Sequence, residues 1–141
     1  MRLRAALGLV ALFAVVLPAV PASPACASEA PHAGLVVSTG HGVLRYCVVL
    51  DQPSVSGLRL IELAHDQYGL SYRSDGAAVC MLAGVGTTQG DCFGDYPDYW
   101  GYWRGNGSGG WAWAGRGAAS TSVHGGQVEG WSWGRGDAGG T

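Results

Sequence analysis

Tyr99-Trp100-Gly101-Tyr102-Trp103-Arg104, Trp111-Ala112-Trp113-Ala114 and Val128-Glu129-Gly130-Trp131-Ser132-Trp133, three segments joined by glycine-rich connections, decide how this chain folds. Together they hold all 6 tryptophans of the 141 residues. Aromatic residues alternating with Gly, Ala or Ser read as strands, because successive side chains of a strand point to opposite faces. Trp111 and Trp113 then share one side of their strand, and Trp131 and Trp133 share one side of theirs. In the first segment Trp100 and Tyr102 point one way while Tyr99 and Trp103 point the other. The expected result is a sheet with a broad aromatic side and a small-residue side, its first strand presenting aromatics to both. Gly105–Gly110 reads as a flexible turn, and a looser stretch through Ser120, Val123 and Gly125-Gly126 leads to the third strand. Indole buries a large apolar area and keeps one N–H donor, so such a face is suited to gripping a ligand. Tyr99, Trp100, Tyr102, Trp103, Trp111 and Trp113 are the expected ligand-binding residues.

Working upstream, Leu35–Ser38 and Val43–Val49 are β-branched, apolar runs around Thr39-Gly40-His41-Gly42, a hairpin signal. After Gln52-Pro53, Ser54 or Ser56 caps a helix whose apolar positions Leu58, Ile61, Leu63 and Ala64 recur at helical spacing and which ends near Gly69. Leu58 and Ile61 are expected against the sheet, with Arg59, Glu62 and Asp66 in water. Leu70–Arg73 and Ala78–Leu82 flank Ser74-Asp75-Gly76 as a second hairpin, and Gly84–Pro97 reads as a loop. The fold class expected is α+β, a mixed sheet with one helix.

Met1 to Ala27 has Arg2 and Arg4, the apolar run Ala5–Leu17, a break at Pro18 and the small-residue ending Ala25-Cys26-Ala27. That is the pattern of a secretory signal peptide cut after Ala27; acylation at Cys26 or an uncleaved anchor are the competing readings. Residues 28–134 then form one small domain, with 135–141 as a frayed tail. No later apolar run is long enough to span a bilayer. Without Arg2 and Arg4, 6 of the 8 basic residues remain against 10 acidic ones, a net charge of −4. All the basic residues are arginine and none forms a stripe, which argues against nucleic acid and anionic membranes. Arg-only, Ala- and Gly-heavy usage fits a GC-rich bacterial source.

Of the 4 cysteines, Cys47, Cys80 and Cys92 survive such a cut, so one is left over from a disulfide. Cys80–Cys92, Cys47–Cys80 and Cys47–Cys92 are all open; Cys80–Cys92 is favoured. Zinc-ligand spacings are missing. Gly130-Trp131-Ser132-Trp133-Gly134 matches a nucleophile elbow in letters only, since no helix and no later histidine can follow it. Gly105-Asn106-Gly107-Ser108-Gly109-Gly110 matches a dinucleotide loop but joins two strands. Its Asn106-Gly107-Ser108 is a glycosylation sequon, and Arg135-Gly136-Asp137 is a chance tripeptide. His32, His41, His65 and His124 are scattered, and Asp91, Asp95 and Asp98 lack calcium-loop spacing. With no nucleophile or acid–base pair marked, the chain is expected not to be an enzyme and to need no cofactor.

Three segments resemble the transcobalamin-like C-terminal domain of the soluble-ligand-binding β-grasp group. Ser56-Gly57-Leu58-Arg59-Leu60-Ile61 is similar to that family's helix start. Tyr99-Trp100-Gly101-Tyr102-Trp103-Arg104-Gly105-Asn106-Gly107 resembles its aromatic strand and turn, and Gly126-Gln127-Val128-Glu129-Gly130-Trp131-Ser132-Trp133 its closing strand. The resemblance implies a β-grasp-like sheet and, in the vitamin carriers, capture of cobalamin against a larger helical domain. No such domain is present here, so the resemblance implies a partner chain or weaker binding. Two function classes follow: a secreted or surface module that binds a corrinoid-like planar ligand and passes it to a membrane importer, or a wall-associated module that docks glycan or a partner protein. If the tryptophans were simply core, neither would hold.

Overall fold

The computed structural model describes residues 30–76 and 78–135. The expected signal peptide with its cut site and nearly all of the expected tail lie outside these residues. In chain order the elements are β1 (His32–Ser38), β2 (Val43–Val49), β3 (Ser54–Val55), α1 (Gly57–Tyr68), β4 (Tyr72–Ser74), β5 (Val79–Leu82), β6 (Val85–Gly86), β7 (Tyr99–Gly105), β8 (Trp111–Trp113), a short 3-10 turn at Ala118–Ser120, β9 (Val123–His124) and β10 (Val128–Gly134). The result is a strand-rich α+β fold with open sheets and one helix among the described residues.

The main sheet has five strands in the order β2-β1-β10-β7-β8. Its central pair, β1 and β10, is parallel, and its other pairings are antiparallel. Small sheets of β3-β9 and β4-β5-β6 flank it. The first hairpin closes where Thr39 N–H donates to the Gly42 carbonyl at 3.0 Å, with Gly40 at φ 81°, a left-handed value natural to glycine. The second hairpin pairs Tyr72 with Leu82. The expected loop 84–97 starts with a strand, β6, which pairs with β5.

Ser56 is the cap that α1 uses. Its Oγ accepts from Arg59 N–H at 3.0 Å, and at the other end Gly69, at φ 72°, donates its N–H to the His65 carbonyl at 2.8 Å. Leu60, Ile61, Leu63 and Ala64 are buried, whereas Leu58 is only partly so. Ile61 takes the expected core position, and Leu58 packs against the core while only partly buried. Arg59 bridges Asp51 and Glu62 at the surface, where such pairs contribute little.

Registers fix which face each side chain takes. Leu35, Val37, Val48, Trp100, Tyr102 and Trp131 lie under α1 and make the core with its buried residues. Tyr102 stacks on Trp131 with ring centroids 4.6 Å apart and planes 16° from parallel. The opposite face carries no helix among the described residues. There Gly34, Gly101, Gly105 and Gly130 leave gaps that larger neighbours occupy: a Cβ at Gly34 would meet Val128 at 3.1 Å, one at Gly101 would meet Trp113 at 3.3 Å, and one at Gly130 would meet Trp111 at 2.5 Å. At Gly101 and Gly130 the room is taken by indoles, Trp111 reaching Gly130 from two strands away, and at Gly34 and Gly105 by Val128. The expectation of one aromatic side is corrected here: Trp111 and Trp113 take the helix-free face, while Trp131 and Trp133, two strands away, take the helix face.

Cys80 and Cys92 are joined as a disulfide, 12 residues apart. Cys47 is also disulfide-bonded, so none of the described cysteines is a free thiol. No helix of the described residues is long and apolar enough to cross a membrane.

Candidate ligand-binding site

Strand β8 is short. It pairs with β7 from Trp103 to Gly105, with one further bond from Ala114 N–H to the Tyr102 carbonyl at 3.0 Å. Past Ala114 the chain turns away through Gly115-Arg116-Gly117 into the 3-10 turn, leaving the edge of β7 at Tyr99–Gly101 without a strand partner among the described residues. A cleft of 310 Å³ opens at this edge. Tyr99, Trp100, Tyr102 and Trp113 line it together with Trp131 and the 114–118 segment, and Val79 and Phe93 close the far side.

The far wall is held by covalent and polar ties. The Cys80–Cys92 disulfide fastens the loop to β5 directly beside Val79 and Phe93. Arg73 donates to the Thr87 and Gly90 carbonyls, fixing the start of that loop. Asp91 and Asp95 serve the same loop: Asp91 Oδ1 accepts from Phe93 N–H at 3.0 Å, and Asp95 Oδ2 accepts from Thr87 Oγ1 at 3.1 Å. Phe93 and Tyr99 face each other across the opening with centroids 6.4 Å apart. Phe93 is 52% exposed and Trp113 51%, so the rim is wet and aromatic.

Of the six residues expected to bind, the cleft gathers Tyr99, Trp100, Tyr102 and Trp113. Trp100 and Tyr102 are buried and form its floor, while Tyr99 and Trp113 stand at its rim. Trp103 and Trp111 are not part of the lining. Trp103 is buried on the helix-free face, where its Nε1 donates to Ser132 Oγ at 2.9 Å and its ring meets Trp113 edge-on. Trp111 covers Gly130. Sequence reading missed Phe93 and Arg116. The only sequence signals for them were an aromatic next to a cysteine and a lone arginine between glycines.

Behind the floor lies a buried polar group. Glu129 is 1% exposed; its Oε1 accepts from Arg104 Nε at 3.0 Å, and its Oε2 has no partner. Burial pushes its carboxyl above the ordinary range, and the nearby Tyr102 hydroxyl and Arg104 offset this only in part. Burial also pushes the Tyr102 phenol far up, so it stays protonated, 3.1 Å from Thr121 Oγ1. Trp131 Nε1 is buried and unpartnered as well.

Among the described residues no group of three His, Cys, Asp or Glu side chains could hold a metal ion. No protein-family profile matches the chain, and no curated protein matches it in sequence.

Proposed function

We propose that this chain is an exported binding module of β-grasp type whose aromatic cleft takes a planar, largely apolar ligand. The single observation that carries the reading is the 310 Å³ opening at the uncovered edge of β7, rimmed by Phe93, Tyr99 and Trp113. Concave, apolar sites of this size with few polar groups are where small ligands bind. The β-grasp assignment draws support from the order β2-β1-β10-β7-β8 around a parallel central pair, with α1 following β2. Export draws support from the Cys80–Cys92 disulfide and from the Met1–Ala27 pattern.

The corrinoid version of this reading keeps the cleft for one edge of the macrocycle. An opening of this volume holds about ten water molecules, so a helical partner chain would cover the rest before hand-over to an importer. Cobalamin titration followed by tryptophan emission, corrected for inner-filter loss, tests it: saturable quenching that weakens in Trp113→Ala is expected, and unchanged emission removes the corrinoid.

A second reading, docking of glycan or a partner protein, draws on the helix-free face. Val43, Val49 and Val128 there are 39%, 38% and 37% exposed. Pull-down on cell-wall glycan tests it.

A further inference from the structure

We infer that the ligand carries an anionic group next to its planar ring, and that Arg116 reads that group. The inference rests on the cleft reading above and specifies its ligand. Arg116 lines two neighbouring cavities. One is the aromatic cleft; the other is a recess, also of 310 Å³, lined by Arg104, Gly115, Ser120, Thr121 and Ser122 as well. The two openings share Gly115 and Arg116 in their linings, which places the Arg116 side chain beside both.

The recess is polar, with two guanidinium groups and three hydroxyls. Arg104 is already committed: Nε holds Glu129, and Nη2 donates to the Ser122 carbonyl at 2.9 Å and to Gln127 Oε1 at 3.2 Å. Arg116 is not committed. It makes no hydrogen bond or ion pair with any described residue. An exposed cation without a carboxylate partner, beside an apolar cleft and next to Ser120, Thr121 and Ser122, fits a carboxylate or phosphate, which guanidinium binds through two parallel donors. The ligand class is therefore a one- or two-ring aromatic anion.

Naphthoate, naphthyl phosphate and neutral naphthol, titrated calorimetrically into the full exported chain with its disulfides intact, separate ring from charge. Both anions are expected to bind about tenfold or more tightly than naphthol, with the preference shrinking as salt is raised. Arg116→Gln is expected to bring the affinity of both anions down to that of naphthol measured in the same variant, while Arg45→Gln, on the far edge strand, keeps the anion preference. The tighter of the two anions identifies the head group. Equal binding of all three probes, or an anion preference that survives in Arg116→Gln, overturns the inference and leaves the cleft reading standing. No saturable binding of any probe also overturns the inference, and the cobalamin titration then decides the cleft reading by itself.

Discussion

Trp111 fills the space that a side chain at Gly130 would occupy, reaching across β7 to the centre of the sheet. Gly130→Ala would place a methyl 2.5 Å from the indole Cζ3 and force the ring to move. Urea unfolding should show a loss of about 1–3 kcal/mol, the usual range for overpacking. Gly42→Ala, where nothing lies within 4 Å, should stay within about 0.5 kcal/mol. Equal effects at the two positions would show that the indole is not seated on the sheet.

The Cys80–Cys92 bridge closes a 12-residue separation, and loops of that order are worth about 3 kcal/mol when cross-linked. Cys92→Ser should lower stability by about that amount and also weaken ligand binding, because Phe93 and Val79 lose their fixed spacing. Thermal melts and the naphthoate titration report the two losses separately. Full affinity in a destabilised variant would mean that the wall is held by other contacts.

Glu129 gives a pH dependence with a definite sign. Its folded-state value lies above the ordinary 4.5, so the folded state holds the proton more tightly than the unfolded one. Stability from this group is complete below about 4.5 and is lost as pH rises through the elevated value. Urea midpoints should therefore fall as pH is raised from the acid side through that window, and Glu129→Gln should flatten the fall. A midpoint that climbs across the window in the native chain but not in the variant would reverse the sign.

Trp113 and Trp111 are neighbours on one strand with different duties. Trp113→Ala removes a rim of the cleft and should weaken planar ligands by about 2 kcal/mol, roughly 30-fold, with a stability loss of about 1 kcal/mol from its edge contact with Trp103. Trp111→Ala should destabilise the sheet and leave affinity nearly unchanged. Titration of both variants settles which indole meets ligand, and a reversed ranking would move the site along β8 to the cavity that Trp111 lines with Gly105, Gly107 and Gly110.

Local signals in the chain wrote much of the secondary structure. Ser56 and Gly69 bound the helix because a side-chain oxygen and a left-handed glycine satisfy its end groups wherever the helix packs. Thr39–Gly42 forms a turn, and the aromatic alternations at 99–105, 111–113 and 128–134 form strands, from backbone preferences within a few residues. What alternation conveys is only the relation of side chains along one strand. The absolute face of each indole waits on register between strands as distant as β1 and β10, and on where α1 lies. Trp113 and Trp131 therefore take opposite faces despite similar local patterns. The cleft is further still from local reading: it exists because β8 ends early, because 115–118 departs from the sheet, and because a disulfide brings Phe93 to the edge of β7. Neighbouring residues determined the strands, the caps and the aromatic endowment; long-range pairing alone decided which four of six expected residues meet in one opening, and that Arg116 stands beside them.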